Sequence, residues 1–159
     1  MAQLSLHSPI GDLTVTEEDG KIISLDWGWV PKEWQSSTPL LQEAVDQLNR
    51  YFDGEIGDFD LPLDPPGTEF QKKVWEEMLK IPAGKTKSYG EIAKILGSAA
   101  QPVGTACGIN PIPIIIPCHR VLAAKGGLGG YSGDGGLDTK KALLRLEKAL
   151  PNEQQSLDI

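Results

Sequence analysis

Leu61-Pro62-Leu63-Asp64-Pro65-Pro66-Gly67 divides the chain. Proline fixes its own φ and has no amide hydrogen, so this stretch cannot continue a helix or a central strand. It predicts a linker between an N-terminal domain over 1–66 and a C-terminal domain over 67–159. Charge changes across it: 1–66 holds three basic residues against thirteen acidic ones, and 67–148 holds twelve against seven. The overall net charge of -7 argues against nucleic-acid binding only if the charge is spread evenly. Screening confines fields to roughly 8 Å in physiological salt, so a basic half can still meet an anionic partner.

At 159 residues, 40% hydrophobic and 23% charged, the chain suits one ordinary domain or two small ones, not a disordered, collagen-like or membrane protein. Prolines and glycines break the uncharged run over 101–118, which excludes a spanning helix. The first residues lack a basic-then-apolar leader, and Cys107 and Cys118 are too few for a disulfide framework. A cytoplasmic location is expected.

Upstream of the linker, strands are predicted over 4–7, 13–16 and 22–27, with turns at Pro9-Ile10-Gly11 and Asp19-Gly20. Apolar spacing from Leu40 to Phe52 predicts a helix over 39–52, capped by Ser37 or Thr38. Nothing near His7 resembles a metal-ligand cluster. Downstream, capping boxes at Thr68-Glu69-Phe70-Gln71 and Ser88-Tyr89-Gly90-Glu91 open two helices, and a third is expected over 99–107. The last two, separated by a glycine-containing turn, form a helix-turn-helix candidate. The third helix has no charge and little bulk, unlike a major-groove reader. Small residues suit a narrow minor groove or a neighbouring helix.

Ile114-Ile115-Ile116 predicts buried extended chain, which delivers Cys118 beside His119 and Arg120. Nearby positive charge lowers a thiol pKa, and the thiolate is the nucleophile. Adjacent residues on extended chain point apart, so His119 is expected to reach the sulfur through a water.

Pro117-Cys118-His119-Arg120-Val121 resembles the active-site signature of the O6-alkylguanine-DNA alkyltransferases, the methylated-DNA–protein-cysteine methyltransferases. Phe70 to Trp75, Ser88-Tyr89-Gly90-Glu91, Val103-Gly104, Asn110-Pro111 and Gly130-Tyr131-Ser132-Gly133 resemble further family blocks in the same order. The resemblance covers 67–148 well and the N-terminal half in general layout. It implies an α/β (α+β) fold: a small sheet-plus-helix domain, then a mainly helical domain with a winged-helix-like helix-turn-helix. It implies a DNA-repair methyltransferase that binds duplex DNA in the minor groove and flips out an O6-alkylated guanine. Cys118 takes the alkyl group once, as a suicide enzyme, with no cofactor. A monomer without a membrane partner is expected.

The remaining roles are carried over by motif. His119 takes the thiol proton through a water, and Glu147 holds the imidazole. Glu147 is expected inside a helix over 138–149. Arg120 supports this network, and Asn110 ties the helix-turn-helix to the active-site segment. Tyr89 reaches guanine N3, the Ser132 backbone donates to O6, and Lys140 matches the family lysine. The Cys118 and Val121 carbonyls accept from the exocyclic amine. Gln101, Gly104, Thr105 and Tyr131 complete the DNA- and base-binding set.

Three departures stand out. Relative to the family pattern, Asp134-Gly135 lengthens the glycine-rich loop by two residues ahead of Lys140 and Glu147. Some family members bind a structural zinc in the N-terminal domain; this half has no cysteine and only His7, so no metal is expected. Gln101 stands where the family has an arginine that enters the base stack. Two other classes compete: a non-repairing alkyltransferase-like lesion binder, which typically lacks the cysteine, and a cysteine hydrolase, which needs an oxyanion hole.

Overall fold

The computed structural model describes residues 1–131 and 133–149. Three antiparallel strands, β1 (Ala2–Leu6), β2 (Leu13–Glu18) and β3 (Lys21–Trp27), form a sheet in the order β1-β2-β3. On the central strand, Leu13 and Val15 are buried on one face. Thr14 and Thr16, on the other, are satisfied by Ser5, Gln3 and the Gly28 carbonyl at 2.8–3.1 Å. Helix α1 (Pro39–Phe52) begins at Thr38, whose side chain accepts from the Leu41 amide, and buries Leu41, Ala44, Leu48 and Tyr51. That spacing makes one apolar stripe for the sheet.

The proline-rich segment is laid along an edge. Ile22 N donates to Pro62 O at 2.9 Å, and Asp64 N donates to Ile22 O at 2.8 Å. The buried Gln47 amide pairs with the Asp60 backbone in both directions, at 2.9 and 3.0 Å. Gly67 is required by close approach, since a Cβ there would lie 2.4 Å from the Trp75 ring.

Helix α2 (Glu69–Leu79) starts at the expected capping box and sends Trp75 into the core, where its indole donates to Ala106 O at 2.9 Å. Strand β4 (Lys87–Ser88) leads into α3 (Tyr89–Leu96), which ends at left-handed Gly97, and α4 (Ala100–Gly108) follows. β4 pairs in parallel with β5 (Val121–Leu122), and α5 (Gly136–Leu146) closes the fold. Leu25 N donates to Pro111 O at 2.9 Å, joining the sheet to the segment after α4. Buried side chains from both sides of the linker form one apolar core.

Two expectations of extended chain are corrected. Ile114 has φ 74, rare for a β-branched residue, and Ile116 N donates back to Ile112 O at 2.9 Å, so the isoleucine run is a buried tight turn. Cys118–Arg120 is a single 3₁₀ turn, closed by Arg120 N donating to Pro117 O at 3.0 Å. Successive side chains of a 3₁₀ turn lie about 120° apart, which aims three neighbours at three different environments.

The last helix is shorter than its apolar spacing suggests. Lys148 adopts φ 59, and its amide and that of Ala149 return to Arg145 O and Leu144 O. This is a Schellman ending, and it makes Glu147 the C-cap.

Candidate active site

Cys118, His119 and Arg120 are all buried. Cys118 lines a cavity of about 440 Å³ shared with Tyr89, Gly104, Cys107, Gly108, Gly130 and Tyr131. Helix α4 can form one wall because glycine there leaves space, and Tyr89, the first residue of α3, reaches in from the other side.

Burial pushes the Cys118 thiol above its ordinary value; a hydrogen bond from Asn110 and the charge of Lys140 oppose this without overcoming it. The expected depression by adjacent basic residues does not occur. His119 is itself pushed toward neutrality, and the Arg120 guanidinium is engaged elsewhere. Cys118 is therefore a thiol near neutral pH and needs a proton acceptor to react.

The residue next to Cys118 belongs to a histidine–carboxylate pair. Glu147 Oε2 lies 2.7 Å from His119 Nε2, and both side chains are fully buried. Burial alone would raise Glu147; hydrogen bonds from His119 and Arg120 outweigh it and hold the carboxyl at about 2. An ionised carboxylate only accepts, so Nε2 carries the hydrogen and Nδ1 keeps its lone pair. Nδ1 is buried with no hydrogen-bond partner among the described residues. Burial lowers the His119 pKa, despite the bond to Glu147. The ring is thus neutral and able to take a proton.

Arg120 fixes the carboxylate. Its Nε donates to Glu147 Oε1 at 2.8 Å and its Nη2 to Oε2 at 3.0 Å. The rest of the fork reaches Asp58 Oδ1 at 2.8 Å, Ile81 O at 2.6 Å and Gly57 O at 2.8 Å. Asn110 bridges Ile116 O at 2.8 Å and the Ile112 amide at 3.0 Å, pinning the turn that precedes Cys118.

Lys140 is fully buried, and its ammonium donates to Val121 O at 2.8 Å, Leu128 O at 2.5 Å and Gly130 O at 3.1 Å. It clamps the glycine-rich loop against β5. The Val121 carbonyl already accepts from Lys140, and the Cys118 carbonyl from Val121 N, so each keeps one lone pair. Residues 140, 143, 144 and 147 share one face of α5 and its cap. The two added residues, 134 and 135, precede that helix and leave Lys140 and Glu147 directed at this segment.

Burial raises the Tyr89 phenol to about 12, so it remains a donor. The Tyr131 hydroxyl is buried without a partner among the described residues, and its ring packs edge-on against Trp27 at 6.4 Å. Gln101 and Thr105 are exposed, with Thr105 Oγ1 donating to Gln101 O at 3.1 Å. The assignment to Ser132 lies outside the described residues. Among those described, no three His, Cys, Asp or Glu side chains group as a metal site would require.

Residues 69–149 match the family model described as the DNA binding domain of 6-O-methylguanine DNA methyltransferase, and 3–65 match that of its ribonuclease-like domain. The chain belongs to the 6-O-methylguanine DNA methyltransferase family. A methylated-DNA–protein-cysteine methyltransferase of Mycobacterium bovis is 47% identical over 152 residues, covering 91% of each chain. One from Methanosarcina acetivorans is 47% identical, covering 89% of this chain and 94% of its own. Mycobacterium tuberculosis OGT, solved in complex with DNA, superposes with a TM-score of 0.83 at 45% identity, covering 97% of this chain and 98% of that one.

Within this family fold, sequence reading missed Cys107, Tyr51 and Asp58. Cys107 lines the same cavity, donates to Met78 Sδ at 3.6 Å, and is raised by burial to about 12. Tyr51 and Asp58 meet Glu147 and Arg120 across 96 and 62 residues of chain, so no local pattern marks them.

The paired burial of His119 and Glu147 predicts acid sensitivity. An unfolded chain binds a proton at His119 below about 6.5 and at Glu147 below about 4.5, the ordinary values, while the folded chain resists both. Stability is then lost as pH falls, first below about 6.5 and further toward 2. Urea midpoints measured from pH 8 to 4 should hold level down to about 6.5 and decline below it; a series flat throughout would refute this.

Proposed function

We propose that the protein repairs O6-alkylguanine in duplex DNA by transferring the alkyl group to Cys118, once per chain. The observation that carries this is a buried cysteine at the wall of a base-sized cavity, beside a neutral histidine whose second ring nitrogen has no hydrogen-bond partner among the described residues. The thiol proton passes to His119 Nδ1 through a water, and Glu147 stabilises the imidazolium. Sulfur then attacks the alkyl carbon; the S–C bond forms as the C–O6 bond breaks. The electron pair leaves with guanine, and Tyr89 and the loop backbone neutralise the developing charge. The thioether has no route back to thiol, so each chain reacts once.

The flipped base enters from the minor groove, with α4 against the DNA and the basic half facing phosphates. Gln101, Gly104 and Thr105 meet the DNA, while Tyr131, the Val121 carbonyl and the loop held by Lys140 surround the base. Division into domains at 66/67, a monomer and a cytoplasmic location belong to the same reading. Among the described residues no helix is long and apolar enough to cross a membrane. Intact mass after incubation with an O6-methylguanine duplex tests it. Addition of one methylene at Cys118, saturating at one per chain, is expected; binding without a mass change supports a lesion sensor, and continued turnover a hydrolase.

Gln101 offers a second test. An arginine there would fill the gap left by the extruded base and add a charge-assisted contact, worth about 1.5–3 kcal/mol or roughly ten- to a hundredfold in flipped population. Gln101→Arg should therefore speed repair of duplex DNA and leave reaction with free O6-benzylguanine nearly unchanged. Equal changes in both second-order rates would show that Gln101 does not limit extrusion.

A further inference from the structure

One of the hydrogen bonds on Glu147 comes from the other side of the linker. Tyr51, in the last turn of α1, donates from its hydroxyl to Glu147 Oε2 at 2.5 Å. The same oxygen holds His119 Nε2 and Arg120 Nη2. The Tyr51 ring is 1% exposed and packs against Phe52 and Phe59, each at a centroid distance of 5.2 Å. Its hydroxyl therefore has one fixed direction.

We propose that Tyr51 is a positioning residue for the proposed proton acceptor, acting on His119 through the shared Glu147 oxygen. The inference rests on the reading that His119 takes the Cys118 proton. A carboxylate divides its charge among its donors, so each added donor weakens its hold on the others. Tyr51 remains a phenol because burial, followed by the charge of Glu147, raises its pKa. It thus donates throughout the working pH range and limits how strongly Glu147 favours the imidazolium. Without it, His119 would hold a proton at higher pH and be a poorer acceptor under mildly acidic conditions. Among the described residues, the other groups facing the cluster are Asp58 and Arg120 beside the carboxylate, Lys140 from α5, and Tyr131 at the cavity.

Tyr51→Phe removes the hydroxyl and keeps the ring. Phe59→Leu loosens the packing of that ring and keeps the hydroxyl, so the pair separates hydrogen bonding from packing. The chain has only two histidines, and His7 is exposed beside Trp29, which makes it an internal reference. With ¹⁵N-labelled imidazoles, Tyr51→Phe should move the His119 Nε2 proton resonance downfield and leave His7 in place. The acid limb of the alkyl-transfer rate should shift to higher pH by about half a unit. Phe59→Leu should do neither. An unmoved His119 resonance in Tyr51→Phe, or the same shift in Phe59→Leu, overturns the proposal. The resonance is read without DNA, so absence of alkyl uptake by the wild type would count against the proposed function and leave this inference to its own result.

Discussion

A chain carrying Cys118→Ala is expected to take up no alkyl group from an O6-methylguanine duplex and still to bind that duplex with little change. Cys118 is 5% exposed, and its backbone is fixed by the 3₁₀ turn and by Asn110, neither of which needs the sulfur. Alanine removes the nucleophile and leaves a slightly larger cavity. Cys118→Ser should fail too, because a hydroxyl is far less nucleophilic and loses its proton much less readily. Cys107→Ser is the informative control, since Cys107 lines the same cavity. Its thiol donates to Met78 and, among the described residues, is hydrogen-bonded to no histidine or carboxylate, so it should not serve as the alkyl acceptor. Intact mass and duplex affinity on all three variants decide the assignment. Uptake that survives in Cys118→Ala and disappears in Cys107→Ser would reverse it.

The difference between these two cysteines was legible in the sequence only in part. Pro117-Cys118-His119-Arg120 marks one of them, and its neighbours are the groups that organise the site. The same motif misleads about electrostatics. Positive charge adjacent in sequence suggests a lowered thiol pKa, whereas a 3₁₀ turn aims Arg120 at Glu147 and Asp58, and burial then governs the sulfur. Backbone geometry, set by the Pro117 turn and by left-handed Ile114, decided which neighbour faces which partner.

Helix α1 was readable to its ends, because apolar spacing and an N-terminal threonine specify both. The end of α5 was not. Leu143, Leu144 and Leu146 continue the helical pattern toward Ala149, but left-handed Lys148 stops the helix and leaves Glu147 at its cap. Lysine carries no strong stop signal, unlike glycine in the same position. Sequence could nominate Glu147 but could not show that Tyr51 and Asp58 converge on the same network. Those contacts depend on how α1 and the segment after it dock against the last helix, which is a property of packing.

Glu147→Gln should lower the alkyl-transfer rate by about a thousandfold or more, as removal of the charge behind a catalytic imidazole does elsewhere. The amide has the shape of the carboxylate, so the loss comes from hydrogen-bond polarity. Glu147 receives Tyr51, His119 and two donors from Arg120, and it can only accept. Glutamine offers one accepting oxygen and one donating nitrogen. If its oxygen faces Arg120, its nitrogen meets His119 Nε2 and drives the imidazole hydrogen to Nδ1, the atom proposed to receive the Cys118 proton. If it faces the other way, the nitrogen opposes the guanidinium. Either way an amide N–H meets one guanidinium N–H, because Arg120 donates to both carboxylate oxygens. The first arrangement also leaves His119 in the unproductive tautomer, and the second forfeits the charge that stabilises its imidazolium. The deficit should narrow as pH rises toward the elevated pKa of Cys118, because solvent can then remove the thiol proton without help. Single-turnover rates from pH 6 to 9, wild type against Glu147→Gln, test both the size and the slope. A deficit of the same size at every pH would mean that Glu147 serves the fold of the segment and not the transfer of its proton.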